Sequence, residues 1–181
     1  MTKIITITGD LGSGKSTVSK ILIDRLNYGY VYTGKIQREI AAKYNMTTLE
    51  LNQYAENNPK IDIEIDAVFK SLNDANDDLI VDSRLAWHFI PKSFKVYLKT
   101  DVNIAAKRIF GDKLRKSEKK FNSVEEVIIE ITQRKTSENK RFLELYNVDC
   151  SDMSNFDMVV DTTQLTPEEV AKRIIVAHRT P

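Results

Sequence analysis

Apolar residues run along this chain in two alternating rhythms. Short unbroken runs, KIITIT (3–8), YVY (30–32), LIVDS (79–83), FKVYLKT (94–100) and FDMVVD (156–161), are separated by longer stretches in which apolar residues recur every three to four positions. The runs are continuous rather than alternating, which predicts strands buried on both faces of a parallel sheet; the longer stretches predict helices. One helix is expected from Lys15 to about Leu26, with Val18, Ile21 and Leu22 on its inner face and its end before Gly29. A second follows the YVY strand, with Thr33 placed to cap it. Thr47 and Glu50 make a capping-box pattern ahead of LELNQYAEN, and Pro59 stops that helix before IDIEIDAVFKSL begins another. Residues 101–110 form a further helix, and Ser123 with Glu126 opens a long one reaching about Asn147. Thr166, Pro167, Glu168 and Glu169 combine a cap, a first-turn proline and first-turn acids for the last helix. The stretch RLAWHFIPKS (84–93) reads as a connection whose aromatic residues either pack within a loop or face a partner.

This order of elements predicts an α/β fold, a parallel sheet of about five strands covered by helices on both faces. A chain of 181 residues is long enough for one well-buried core, so residues 1–181 are expected to form a single domain. Lysine plus arginine (27) balance aspartate plus glutamate (26), and no overall field would gather nucleic acid or an anionic membrane. Cys150 is the only cysteine, so no internal disulfide can form, and the chain enters its first strand without a long apolar leader. A cytoplasmic setting is expected, with the oligomeric state left open.

Three of the six glycines fall within GDLGSGKST (9–17), directly between the first strand and the first helix. Gly9, Gly14, Lys15 and Ser16 satisfy G-x-x-x-x-G-K-[ST], and the strand–helix setting is the one this loop requires. Glycines let the backbone wrap a phosphate chain with its N–H groups turned inward, and the positive end of the helix dipole adds to that field. The expected ligand is a nucleotide triphosphate, contacted by Gly9, Leu11, Gly12, Ser13, Gly14, Lys15, Ser16 and Thr17. Lys15 would bridge the outer phosphates and Ser16 would hold Mg2+. Asp10 is out of place in an anion cradle; its side chain is expected to face away, with a place near the metal as the alternative.

A phosphoryl-transfer enzyme must press two polyanions together. A triphosphate and a monophosphate acceptor bring roughly six negative charges, of which one magnesium offsets two. Further cations have to converge, and Arg38, Arg84, Arg134 and Arg141 stand out. Arg134 and Arg141 lie seven apart on the long helix, beside a stripe formed by Val124, Ile131, Phe142 and Leu145. They either reach phosphate or lay their stems along the core. Arg84 and Asp82 sit at the carboxyl end of a strand, where open α/β folds bind ligands, or they serve only loop hydrogen bonding. The run from Lys107 to Lys120 holds seven basic residues against Asp112 and Glu118, either a solvated face or a flap over phosphates.

The chain resembles the cytidylate kinase-like family, in particular the short archaeal-type CMP kinases among the P-loop nucleoside monophosphate kinases. The resemblance rests on ITITGDLGSGKSTVSK, TGKIQREIAAKYNMTTLELNQYAENNPKIDIEID, VDSRLA, QRKTSENKRFLELYNVD and VVDTTQLTPEEV, in that order. It implies a three-layer P-loop kinase core with an acceptor-binding insert at about 33–73 and a lid at about 111–141. It also implies transfer of the ATP γ-phosphate to a nucleoside monophosphate, CMP or dCMP. Thr33, Arg38, Asp82 and Arg84 would hold the acceptor, and Asp82 would join Ser16 at the metal. Lys15, Arg134 and Arg141 would act on the migrating phosphoryl, while Arg108, Thr162 and Thr163 would border the adenine. Ser83 stands where the family commonly has glycine, Asn147 likewise, and Phe142 replaces a tyrosine. Two other readings fit a P-loop: a kinase of a small hydroxyl-bearing metabolite, in which Asp82 takes the hydroxyl proton, and a nucleotide-binding regulatory module without transfer.

Overall fold

A computed structural model of the protein describes residues 3–46, 48–55, 58–112 and 121–179. Thr47 of the expected capping box and most of the basic stretch after Gly111 lie outside them. All five expected strands are present: β1 (Ile4–Gly9), β2 (Gly29–Tyr32), β3 (Leu79–Asp82), β4 (Phe94–Lys99) and β5 (Met158–Asp161). They form one sheet in the order β2-β3-β1-β4-β5. Ile5 stands opposite Ile80, Tyr30 also opposite Ile80, and Tyr97 opposite Val159, each in a parallel pairing. The helices are α1 (Lys15–Leu26), α2 (Thr33–Lys43), α3 (Thr48–Ala55), α4 (Lys60–Ser71), α5 (Ala86–Phe89), α6 (Val102–Gly111), α7 (Val124–Tyr146) and α8 (Pro167–Arg179). The α/β reading therefore stands, and α5 adds a turn of helix where a connection was expected.

Local chemistry explains most boundaries. Asp101 caps α6 by accepting from the N–H groups of Asn103 and Ile104 at 2.9 and 3.1 Å. Ahead of α8, Thr166 and Glu169 bond reciprocally, at 2.8 Å from the Thr166 N–H and 3.3 Å from the Glu169 N–H. At α7, Ser123 accepts from the Glu126 N–H at 3.2 Å, but the Glu126 carboxylate reaches back to the N–H of Asn122. Thr33 does not cap α2. It is the first helical residue, preceded by Tyr32 without a side-chain cap, and its hydroxyl donates to the Asp82 carbonyl at 3.4 Å.

The chain divides into two compact units, Met1–Thr8 with Ser19–Lys95 and Gly9–Val18 with Val96–Pro181. In the first, Ile5 and Ile7 of β1, Ile80 and Val81 of β3 and Leu22 of α1 are wholly buried, with Ile36, Ile40, Leu51, Ile61 and Phe69 inside α2–α4. Thr6 and Thr8 are buried among them at little cost because each has a partner: Ser93 Oγ at 3.0 Å and the Arg84 carbonyl at 3.1 Å. In the second unit the core is Val96 and Leu98 of β4, Ala105 and Ala106 of α6, Val127 and Ile131 of α7, and Val170 and Ile174 of α8. Leu145, expected on the inner stripe of α7, is exposed; Val127, Ile131 and Phe142 carry the buried side.

Helix α7 ends on Asn147, whose φ of 53° and ψ of 40° are left-handed. Replacing Asn147 with alanine should cost about 1 kcal/mol in a urea unfolding titration, and replacing it with glycine should cost nothing.

Candidate active site

The loop between β1 and α1 belongs to the second unit, and its path depends on missing side chains. A Cβ on Gly9 would lie 2.2 Å from the Leu98 carbonyl oxygen, and one on Gly12 would lie 2.8 Å from the Ala105 carbonyl oxygen. Gly9, Gly12 and Gly14 also take positive φ, at 142°, 77° and 87°. The Asp10 N–H donates to the Leu98 carbonyl at 2.9 Å, continuing the strand edge, and the Thr17 and Val18 N–H groups both reach the Gly14 carbonyl at 3.0 Å. Lys15 curls over the loop and donates its Nζ to the Gly9 and Asp10 carbonyls at 3.0 and 3.1 Å. Ser13 is 2% exposed, and its hydroxyl has no partner among the described residues.

Arg108 joins the far side of the same loop to the turn after β5. Its guanidinium donates to the Thr162 carbonyl at 2.8 Å, the Thr163 carbonyl at 3.3 Å and the Gly12 carbonyl at 3.4 Å. The turn is set by Asp161, whose carboxylate accepts from the Thr163 N–H at 2.9 Å, and by the Thr162 N–H bonded to the Lys99 carbonyl. Arg108 and the Thr162–Thr163 pair, singled out from two separate parts of the sequence, thus meet at one rim of the loop.

The Asp10 side chain turns toward the end of β4 and toward α7. Its carboxylate accepts from Tyr97 OH at 2.8 Å, from the Thr100 N–H at 3.0 Å and from Lys135 Nζ of α7 at 2.7 Å. Burial by itself pushes this carboxyl up, but the bonds from Lys135, Thr100 and Tyr97 outweigh it and hold the group below its ordinary value. Next along α7, Arg134 pairs with Glu138 at 2.9 Å while remaining about half exposed. The Arg141 guanidinium lies 5.4 Å from the centre of the Phe142 ring.

A second cluster lies in the first unit. Tyr30 and Tyr32 stack with ring centres 5.0 Å apart and planes 16° off parallel. Tyr30 OH donates to the Asp82 carboxylate at 3.3 Å, and Arg38 both donates to Tyr32 OH and lies over its ring, 5.3 Å from the centre. Burial, then the charge of Asp82, pushes the Tyr30 phenol well up. Asp82 and Arg38 are thereby joined through two tyrosines not among the expected site residues, while Thr33 bonds Asp82 directly. The signal was there: residues two apart on a strand point to the same face. Arg84 enters through its carbonyl, which accepts from Thr8 and from Trp87 Nε1, each at 3.1 Å.

Ser83 is accommodated without positive φ, and its hydroxyl accepts the Leu85 N–H at 3.3 Å. Trp87 and Phe89 are buried, so the aromatic stretch is packing and not a partner surface.

A family model described as an AAA domain matches residues 5–154. The cytidylate kinase of Sulfolobus acidocaldarius is 38% identical over 173 residues, covering 94% of this chain and 91% of that one. The chain belongs to the cytidylate kinase-like family. It is an enzyme of the nucleoside monophosphate kinase kind, with ATP as the family's phosphate donor. A segment equal to 35% of the S-adenosylmethionine-dependent nucleotide dehydratase of Lacinutrix mariniflava is 37% identical to 94% of this kinase. The shikimate kinase of Acinetobacter baumannii, solved with shikimate, covers the whole of this kinase and is covered to 97%, with a TM-score of 0.64 at 17% identity. That likeness is one of fold. No helix among the described residues is long and apolar enough to cross a membrane.

Gly12→Ala tests the loop geometry directly. The added methyl has backbone, not a flexible side chain, in its way, so unfolding stability should fall by about 2 kcal/mol and the thermal shift induced by ATP should disappear.

Proposed function

We propose that this kinase transfers the γ-phosphoryl group of ATP to CMP or dCMP. What carries the reading is the near full-length likeness to cytidylate kinases, 38% identical across 94% of the chain. The relative that acts on nucleotides through a longer chain points to the same substrate class. On the donor side, Gly9, Leu11, Gly12, Ser13, Gly14, Lys15, Ser16 and Thr17 would hold the phosphates. The buried Ser13 hydroxyl supports this, because a phosphate oxygen would supply the partner it lacks. Arg108, Thr162 and Thr163 would border the adenine. Ser16 and Asp82 offer hard oxygen donors, the kind magnesium takes. When bound, magnesium would neutralise part of the charge on the phosphates.

On the acceptor side, Thr33, Arg38, Asp82 and Arg84 would hold the monophosphate, within an insert at about 33–73. The acceptor's phosphate oxygen is already anionic, so no strong base is required of the protein. Positioning and charge do the work. Lys15 would leave the loop carbonyls for the β- and γ-phosphates. Arg134 and Arg141, on the lid at about 111–141, would turn to the migrating group. Arg134 is about half exposed in its i,i+4 pair with Glu138, so releasing it costs little beside the field of a triphosphate.

ADP release measured in parallel with CMP, dCMP, UMP, AMP and GMP should be stimulated most by CMP or dCMP. If no monophosphate stimulates it, the reading fails. Lys15→Ala should reduce turnover by about 10³ or more while the protein stays folded. Tyr32→Phe keeps the ring over Arg38 and deletes only the hydroxyl; the KM for the monophosphate should rise about fivefold, with kcat and the KM for ATP unchanged.

A further inference from the structure

The carboxylate inside the phosphate loop is the feature that the transfer reaction leaves unexplained. A negative charge in an anion cradle weakens binding unless something neutralises it, and the neutralising group here is not local. Lys135 comes from α7, 125 positions along the chain, and meets Asp10 at 2.7 Å. Asp10 is itself held by Tyr97 OH of β4 and by the N–H of Thr100, the residue after that strand. A second contact runs in parallel: Leu11, the next loop residue, packs against the apolar cluster of Ala105, Ala106, Ile109, Val127 and Ile131 that joins α6 to α7. Two consecutive loop residues are therefore engaged here, Asp10 by charge with α7 and Leu11 by apolar contact with the α6–α7 cluster. Arg134 is the immediate neighbour of Lys135 on that helix.

We infer that Asp10 and Lys135 are positioning residues that dock α7 on the phosphate loop, so that the helix carrying Arg134 and Arg141 keeps a fixed place relative to the donor phosphates. The inference rests on the proposed transfer reaction for its kinetic arm only. Asp10 has a structural task and a charge cost, and these separate in kinetics. Losing the dock lowers kcat, because a misplaced charge near the reacting group is costly even at about 1 Å. Losing the carboxylate also removes a repulsion for phosphate, whereas losing Lys135 alone exposes that repulsion.

The test compares Asp10→Asn, Lys135→Met, the double variant and Lys135→Arg with the wild-type protein. Expected are a fall in kcat of about ten- to a hundredfold in each of the first two and no further fall in the double. Asp10→Asn should not raise the KM for ATP, Lys135→Met should raise it, and the double should return it toward wild type. Lys135→Arg should restore most of kcat. Hydrogen exchange without any substrate should show α7 amides opening faster in both single variants. Lys135 is about half exposed, so its variant carries the test if Asp10→Asn does not fold. Unchanged kcat and unchanged α7 exchange in Lys135→Met would overturn the inference, as would strictly additive losses. If the wild-type protein phosphorylates no monophosphate, the functional reading falls, and α7 exchange still decides whether the dock exists.

Discussion

The structure turns on how closely backbone can approach backbone where the phosphate loop leaves the sheet. Gly9 lies so near Leu98 of β4 that no side chain fits between them, and Gly12 also comes too close to the Ala105 backbone of α6 for one. With those two contacts the loop is pressed against a strand and a helix, and the Asp10 N–H can bond to the Leu98 carbonyl as a strand residue would. The loop is then stiff before any ligand arrives. A loop held by such close backbone contacts has little freedom left, so glycine, usually a source of freedom, here gives the chain a fixed path.

Charge is distributed on the same principle. The cations nearest the loop are already engaged by oxygen atoms of the protein: Lys15 by two loop carbonyls, Arg108 by the Thr162 and Thr163 carbonyls, Lys135 by Asp10. Carbonyl groups are modest partners for a cation, and a phosphate is a strong one. Such cations are therefore kept in place without being committed. Asp10 differs, because a charged partner with three hydrogen bonds holds far more firmly than a carbonyl.

The tyrosine pair shows how far local sequence goes. YVY reads as a strand, and strand geometry puts both rings on one face. What those rings touch could not be read from spacing. Asp82 reaches Tyr30 because β3 pairs with β2 in a register that sets Tyr32 opposite Asp82. Thr33 shows the reverse failure: its type suits a helix cap, yet a carbonyl on the neighbouring strand took its hydroxyl. Leu145 failed for a simpler reason: it is exposed although Phe142 and Val148 on either side of it are buried, and apolar spacing alone does not say which residues of a stripe are covered.

By itself the sequence determined the order of strands and helices, the phosphate loop with its lysine, and the family, because these depend on periodicity and on short-range steric rules that act between near neighbours. Tertiary structure alone decided which further distant groups would meet: Lys135 with Asp10, and Arg38 with the stacked tyrosines. Register and helix docking bring those groups together, and both are set by packing over the whole unit, a sum of many small contacts that no single stretch of residues contains.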